Sequence, residues 1–169
     1  MVDIIGPAWP NAFRMTTEEE AEFNRHGFVS RCLIKLTESI QKPVTKDDFC
    51  RRFAHLFPDP RAQYGFLDLG TVPQIAADLS LPAHVKMSAD YDVILYECAK
   101  PPWMVLVFSS VNLFDPRATA FEGHCSVLRE IGAKTFSLWT PLKDGQEVIL
   151  PSLPKEFWVR KKCLGWALS

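Results

Sequence analysis

The chain has 169 residues, of which 47% are hydrophobic and 23% charged, with a formal net charge of −1. That size and composition suit one globular domain whose core needs no disulfide or metal staple. The near-neutral balance argues against a general nucleic-acid or membrane-surface binder, which carries a basic excess to meet phosphates or anionic headgroups.

Residues 1–22 read as an N-terminal arm. Gly6, Pro7 and Pro10 break regular structure there, and Thr16-Thr17-Glu18-Glu19-Glu20 predicts a short helical turn. The domain proper spans 23–169. A first helix is predicted from near Ser30, as N-cap, to about Ile40, with Leu33, Leu36 and Ile40 on one face and Pro43 beyond its end. Thr45-Lys46-Asp47-Asp48 resembles a capping box and opens a second helix carrying Phe49, Phe53, Leu56 and Phe57. Thr71 caps a third, with Pro73 in its first turn and Pro82 closing it. Residues 91–98 fit either a helix, through Tyr91, Ile94 and Cys98, or a strand, through Val93 and Ile94.

From Pro101 the period shifts toward two. Trp103–Ser109 predicts a buried strand, and 110–122 a loop. In His124–Ile131, Cys125, Val127, Arg129 and Ile131 fall on one face, and His124, Ser126, Leu128 and Glu130 on the other. Thr135–Trp139 is a further strand, and Asp144-Gly145 signals a hairpin into Glu147–Leu150. Leu153–Val159 predicts a short helix and Leu164–Leu168 a last strand. The basic run Arg160-Lys161-Lys162 predicts a solvated turn. Helices first, then a mostly antiparallel sheet, is an α+β order.

No stretch approaches the ~18 apolar residues of a membrane span, so no membrane insertion is expected. Met1 to Phe13 holds Asp3 and no basic run before an apolar block, which does not read as a cleavable export signal. The five cysteines, at 32, 50, 98, 125 and 163, include no C-x-x-C pair, which argues against a zinc site. A reduced, cytoplasmic protein is the expectation. Export by a route without a cleavable signal is compatible with the same residues.

Two residues carry candidate chemistry. Cys32, placed in the first turn of the first helix, gains thiolate character from the helix's positive end, with Arg31 beside it. His124 opens a strand directly after Gly123, at the rim of a sheet, where an imidazole can serve as base. His55 reads as a surface residue, and His84 lies in a connector.

In the order of these parts the chain resembles the papain-like cysteine peptidases, in their bacteriocin-processing, C39-like branch. Lys100-Pro101-Pro102 followed by Trp103-Met104-Val105-Leu106-Val107 looks like that family's first strand. Glu122-Gly123-His124-Cys125-Ser126-Val127-Leu128 looks like its histidine strand, and Phe136-Ser137-Leu138-Trp139-Thr140-Pro141-Leu142 like its third. Leu153–Trp158 and Leu164–Leu168 look like its closing helix and strand, so the resemblance covers about residues 23–169. It implies a papain-like fold with 91–98 helical. It also implies Cys32 as nucleophile, His124 as base, Thr140 as the histidine's orienting group and His26 as oxyanion donor.

Two positions depart from the family pattern. His26 stands where the family has glutamine, and Thr140 where it has aspartate or asparagine before a proline. An imidazole N–H can donate to an oxyanion. A threonine hydroxyl can accept a hydrogen bond from the histidine's N–H but supplies no charge to steady an imidazolium. Asp144 substitutes for it only if the hairpin folds back. Two functions follow as expectations. One is a cysteine-dependent hydrolase, a peptidase or amidase acting on a peptide or protein. The other is a degenerate domain that binds a peptide or protein partner without cleaving it. Neither calls for a cofactor or metal, and neither involves nucleic acid.

Overall fold

The computed structural model describes residues 2–4, 27–56, 71–100, 103–118 and 121–169. Strand β1 (Val2–Ile4) comes first. Helix α1 (Phe28–Ser39) starts three residues earlier than its serine signal suggests. Its N-cap is Gly27, in the left-handed region (φ 63°) that glycine adopts without Cβ strain, and no side chain caps it. Phe28, Val29 and Ser30 are all buried. Burying two large apolar side chains outweighs the ~1 kcal/mol that a serine cap at Ser30 would contribute.

Helix α2 (Lys46–Phe53) follows the sequence signal, with Thr45 Oγ1 accepting from the Asp48 N–H at 3.1 Å. It tightens into a 3₁₀ turn, Ala54–Leu56. Helix α3 (Val72–Asp78) carries Pro73 in its first turn and buries Ile75 and Ala76. A short strand without a sequence forecast, β2 (Val85–Ser88), precedes helix α4 (Tyr91–Cys98). Asp90 caps α4 through the N–H groups of Asp92 and Val93. Strands β3 (Met104–Val111), β4 (Phe121–Ile131), β5 (Thr135–Pro141) and β6 (Glu147–Pro154) run in antiparallel succession. Helix α5 (Lys155–Arg160) and strand β7 (Leu164–Leu168) close the chain.

The sheet order is β1-β2-β7-β3-β4-β5-β6. Every neighbour pair is antiparallel except β1 with β2. Residues 2–4 of the sequence-predicted arm therefore extend the sheet, and the rest of that arm lies outside the described residues. The fold is α+β, and the period-two alternation of its strands sorts two cores. Leu106 and Phe108 of β3, Cys125 and Val127 of β4 and Trp139 of β5 pack against α1, α2 and α3. Val105, Val107, Leu128 and Leu138 pack against α4 and α5. A register shift between Leu128 and Glu130 moves Ile131 onto the α4–α5 side, where strict alternation placed it with Val127.

The basic run is not wholly solvated either. Lys161 is fully buried, and its Nζ donates to the Asp115 carbonyl at 2.6 Å. Only its neighbours Arg160 and Lys162 are exposed. Its alkyl stem can stay among apolar atoms because the charged tip finds an oxygen from a distant loop.

Candidate functional site

The sequence-predicted residues meet where α1 crosses β4. Phe28 and Cys32 lie one helical turn apart, so they occupy the same face of α1. His124 and Cys125 are consecutive on β4, so their side chains diverge. The two pairs match up in a way the sequence did not forecast. Cys32 and Cys125, both free thiols, are neighbours in the buried core. Burial, then the neighbouring Cys32 thiol, push the Cys125 thiol well above its ordinary range. The His124 ring lies instead on Phe28, with centroids 4.2 Å apart and planes tilted by 48°. Phe114 stands nearly perpendicular to the same imidazole, with centroids 6.1 Å apart.

Cys32 is therefore the fifth residue of α1, beyond the first turn in which the helix's positive end acts. It has no exposed surface. His124 borders a small cavity of about 120 Å³ with Asn112, Leu113, Phe114, Leu142 and Lys143, and Cys32 does not line it. Arg31 does not serve the thiol. Its buried guanidinium donates to the carbonyls of Leu142 (2.5 Å), Gly145 (2.9 Å) and Gln146 (2.6 Å), tying α1 to the β5–β6 hairpin.

Thr140 is fully buried, and its hydroxyl bonds Ser126 at 2.9 Å, two residues along β4 from His124. The Asp144 carboxylate accepts from the Gln146 N–H at 2.9 Å, which spends it on the hairpin turn. His26 lies outside the described residues. His55 and His84 are exposed. The residues that the sequence reading missed are Phe28 and Cys125. Alternation gives the face of Cys125, but not which helix residue sits over it.

Among the described residues, no group of three or more His, Cys, Asp or Glu side chains could hold a metal ion. Among the same residues, no helix is long and apolar enough to cross a membrane. No family model, curated protein or solved structure matches the chain.

Proposed function

We propose that this chain is a papain-like scaffold that has lost its nucleophile and binds a peptide or protein partner without cleaving it. One observation carries the reading: the phenyl ring of Phe28, the first residue of α1, packs at 4.2 Å on the imidazole of His124. A thiol that the histidine could activate needs that place, within hydrogen-bond reach of the ring. The cysteine sits a turn deeper, buried against Cys125. The hydrolase reading, with Cys32, His124, Thr140 and His26 as its machinery, requires the thiol to leave that site and reach the histidine's cavity. It also requires Thr140 to exchange Ser126 for His124.

The test is a two-part assay on the full chain. A fluorogenic peptide mixture and a thiol-directed acyloxymethyl ketone are applied to the wild type and to Cys32→Ala. The expected result is no turnover and no adduct at Cys32, with peptide capture from an immobilised array unchanged by Cys32→Ala. Turnover that Cys32→Ala abolishes would overturn the reading in favour of the hydrolase.

A further inference from the structure

A second depression lies on the α1 side of the sheet, toward the opposite end of the strands from His124. Its floor is a cross-strand row: Val127 of β4 is in register with Trp139 of β5, and Trp139 with Ile149 of β6. Trp103, Met104 and Arg129 continue the lining beside them, and the last turns of α1 form the far wall. The space is about 680 Å³, within the range of sites that hold a drug-sized ligand or a short peptide segment. Arg129 lies five residues along β4 from His124, a separation of roughly 17 Å at strand rise. The groove is therefore distinct from the histidine's cavity.

Two features say what it takes. First, the floor is apolar, and Ile149 leaves 47% of its surface to solvent, a cost that a covering apolar group removes. Second, the charges are unequal. Lys35 is paired with Glu38 at 2.8 Å, whereas Arg129 makes no ion pair or hydrogen bond among the described residues. The groove thus carries one uncompensated guanidinium, the donor group suited to a carboxylate.

We propose that this groove holds an extended peptide segment in which an aromatic or aliphatic side chain precedes a carboxylate, the carboxylate pairing with Arg129. The inference rests on the non-cleaving reading and names the partner's seat and chemistry. The apolar side chain covers Ile149.

The probe is a panel of fluorescein-labelled peptide amides with each aromatic and aliphatic residue ahead of a glutamate, and the same panel with glutamine. Binding to the full chain is read by anisotropy and by the indole N–H signals in two-dimensional NMR. Saturable binding is expected. Glutamine in the peptide, or Arg129→Gln in the protein, weakens it by about fivefold or more. Ile149→Asp abolishes it, and the Trp139 indole signal moves on titration. Thermal melts of each variant exclude unfolding. No saturation in the millimolar range, indifference to Arg129→Gln, or self-association that Ile149→Asp disrupts would each overturn the groove assignment. Cleavage of the probe that Cys32→Ala abolishes would instead sink the non-cleaving reading and leave the groove standing.

Discussion

The imidazole of His124 rests on the ring of Phe28, 4.2 Å between centroids, while the thiol of Cys32 one turn further along α1 lies beside Cys125. The two cysteines and the two rings form separate layers of one helix–strand contact. Cys125 packs beside Cys32, and its neighbour His124 meets Phe28 one turn earlier on α1. That turn is the one where the helix's positive end and free N–H groups act.

A thiol moved to that turn should acquire the reactivity that Cys32 lacks. In Phe28→Cys the new side chain is expected to titrate below the ordinary ~8.5 of a free cysteine. The histidine and the helix end both favour its thiolate. The substitution also removes buried volume, so stability should fall by about 2–4 kcal/mol. Alkylation by iodoacetamide against pH, read by peptide mass mapping, follows each cysteine. In the wild type, Cys32, Cys125 and Cys163 should label only on unfolding, after the partly exposed Cys50 and Cys98. Native labelling of Cys32 ahead of Cys50, or an ordinary titration at position 28, would count against this account.

Alkali should destabilise the fold through its cysteines. Burial pushes Cys98 from 9.0 up to about 12, and raises Cys125 and Cys163 as well. Above pH 9 the unfolded thiols lose protons that the folded ones keep. The unfolded state then binds fewer protons, and stability falls as pH rises. The stabilisation is whole below the ordinary thiol value, and for Cys98 it is lost across the interval up to about 12. Each fully buried thiol, Cys125 and Cys163, contributes a slope approaching ~1.4 kcal/mol per pH unit in this range. Urea melts of the wild type and Cys163→Ala, compared from neutral pH into alkali, isolate one such contribution. Parallel curves would show that Cys163 does not contribute.

Arg31 holds the β5–β6 hairpin against α1 with three bonds to carbonyl oxygens. Replacing it by methionine keeps the stem's packing but strands those oxygens and removes a charge that is already bonded. A loss of about 2–4 kcal/mol is expected. Lysine should recover part of it, since an ammonium cannot span all three acceptors. Hydrogen exchange would locate the effect: the amides of 142–147 should lose protection first in Arg31→Met. A stability change within ~0.5 kcal/mol would show that solvent satisfies these carbonyls as well as the guanidinium does.

Local signals carried much of this fold. The Thr45 cap, the Asp144-Gly145 turn and the run Leu164–Leu168 each appear where their residues place them. The misses are long-range. β2 has no strong alternation and exists because it pairs with β1 and β7 on its two sides. Ile131 changes sides because a bulge in the β4–β5 ladder breaks the period, an event that sequence spacing does not encode. Lys161 is buried because a carbonyl 46 residues away receives its ammonium. At the candidate site, His124 and Cys32 were visible as residue types on the right elements. Three residues of drift in the start of α1 were enough to place phenylalanine, rather than the thiol, on the imidazole.

Gly165 tests how closely the back helix is packed. It lies on β7 between Leu164 and Trp166, on the side that faces α4. A methyl group built there would stand 2.7 Å from both Cγ1 and Cδ1 of Ile94 and 3.3 Å from the Trp158 ring. Ile94 is fully buried, and so is Trp158 apart from 1% of its surface, with its indole N–H held by the Ala89 carbonyl at 2.9 Å. Neither neighbour can move without breaking a contact of its own. Gly165→Ala should therefore destabilise the protein by about 1–3 kcal/mol, although alanine is the better residue in an unconstrained strand. Pairing it with Ile94→Val, which removes the Cδ1 atom but keeps Cγ1, should recover part of that loss. The double variant would then be more stable than the sum of the single changes predicts. Equal stability of Gly165→Ala and wild type in urea, or strict additivity with Ile94→Val, would show that α4 yields at this point.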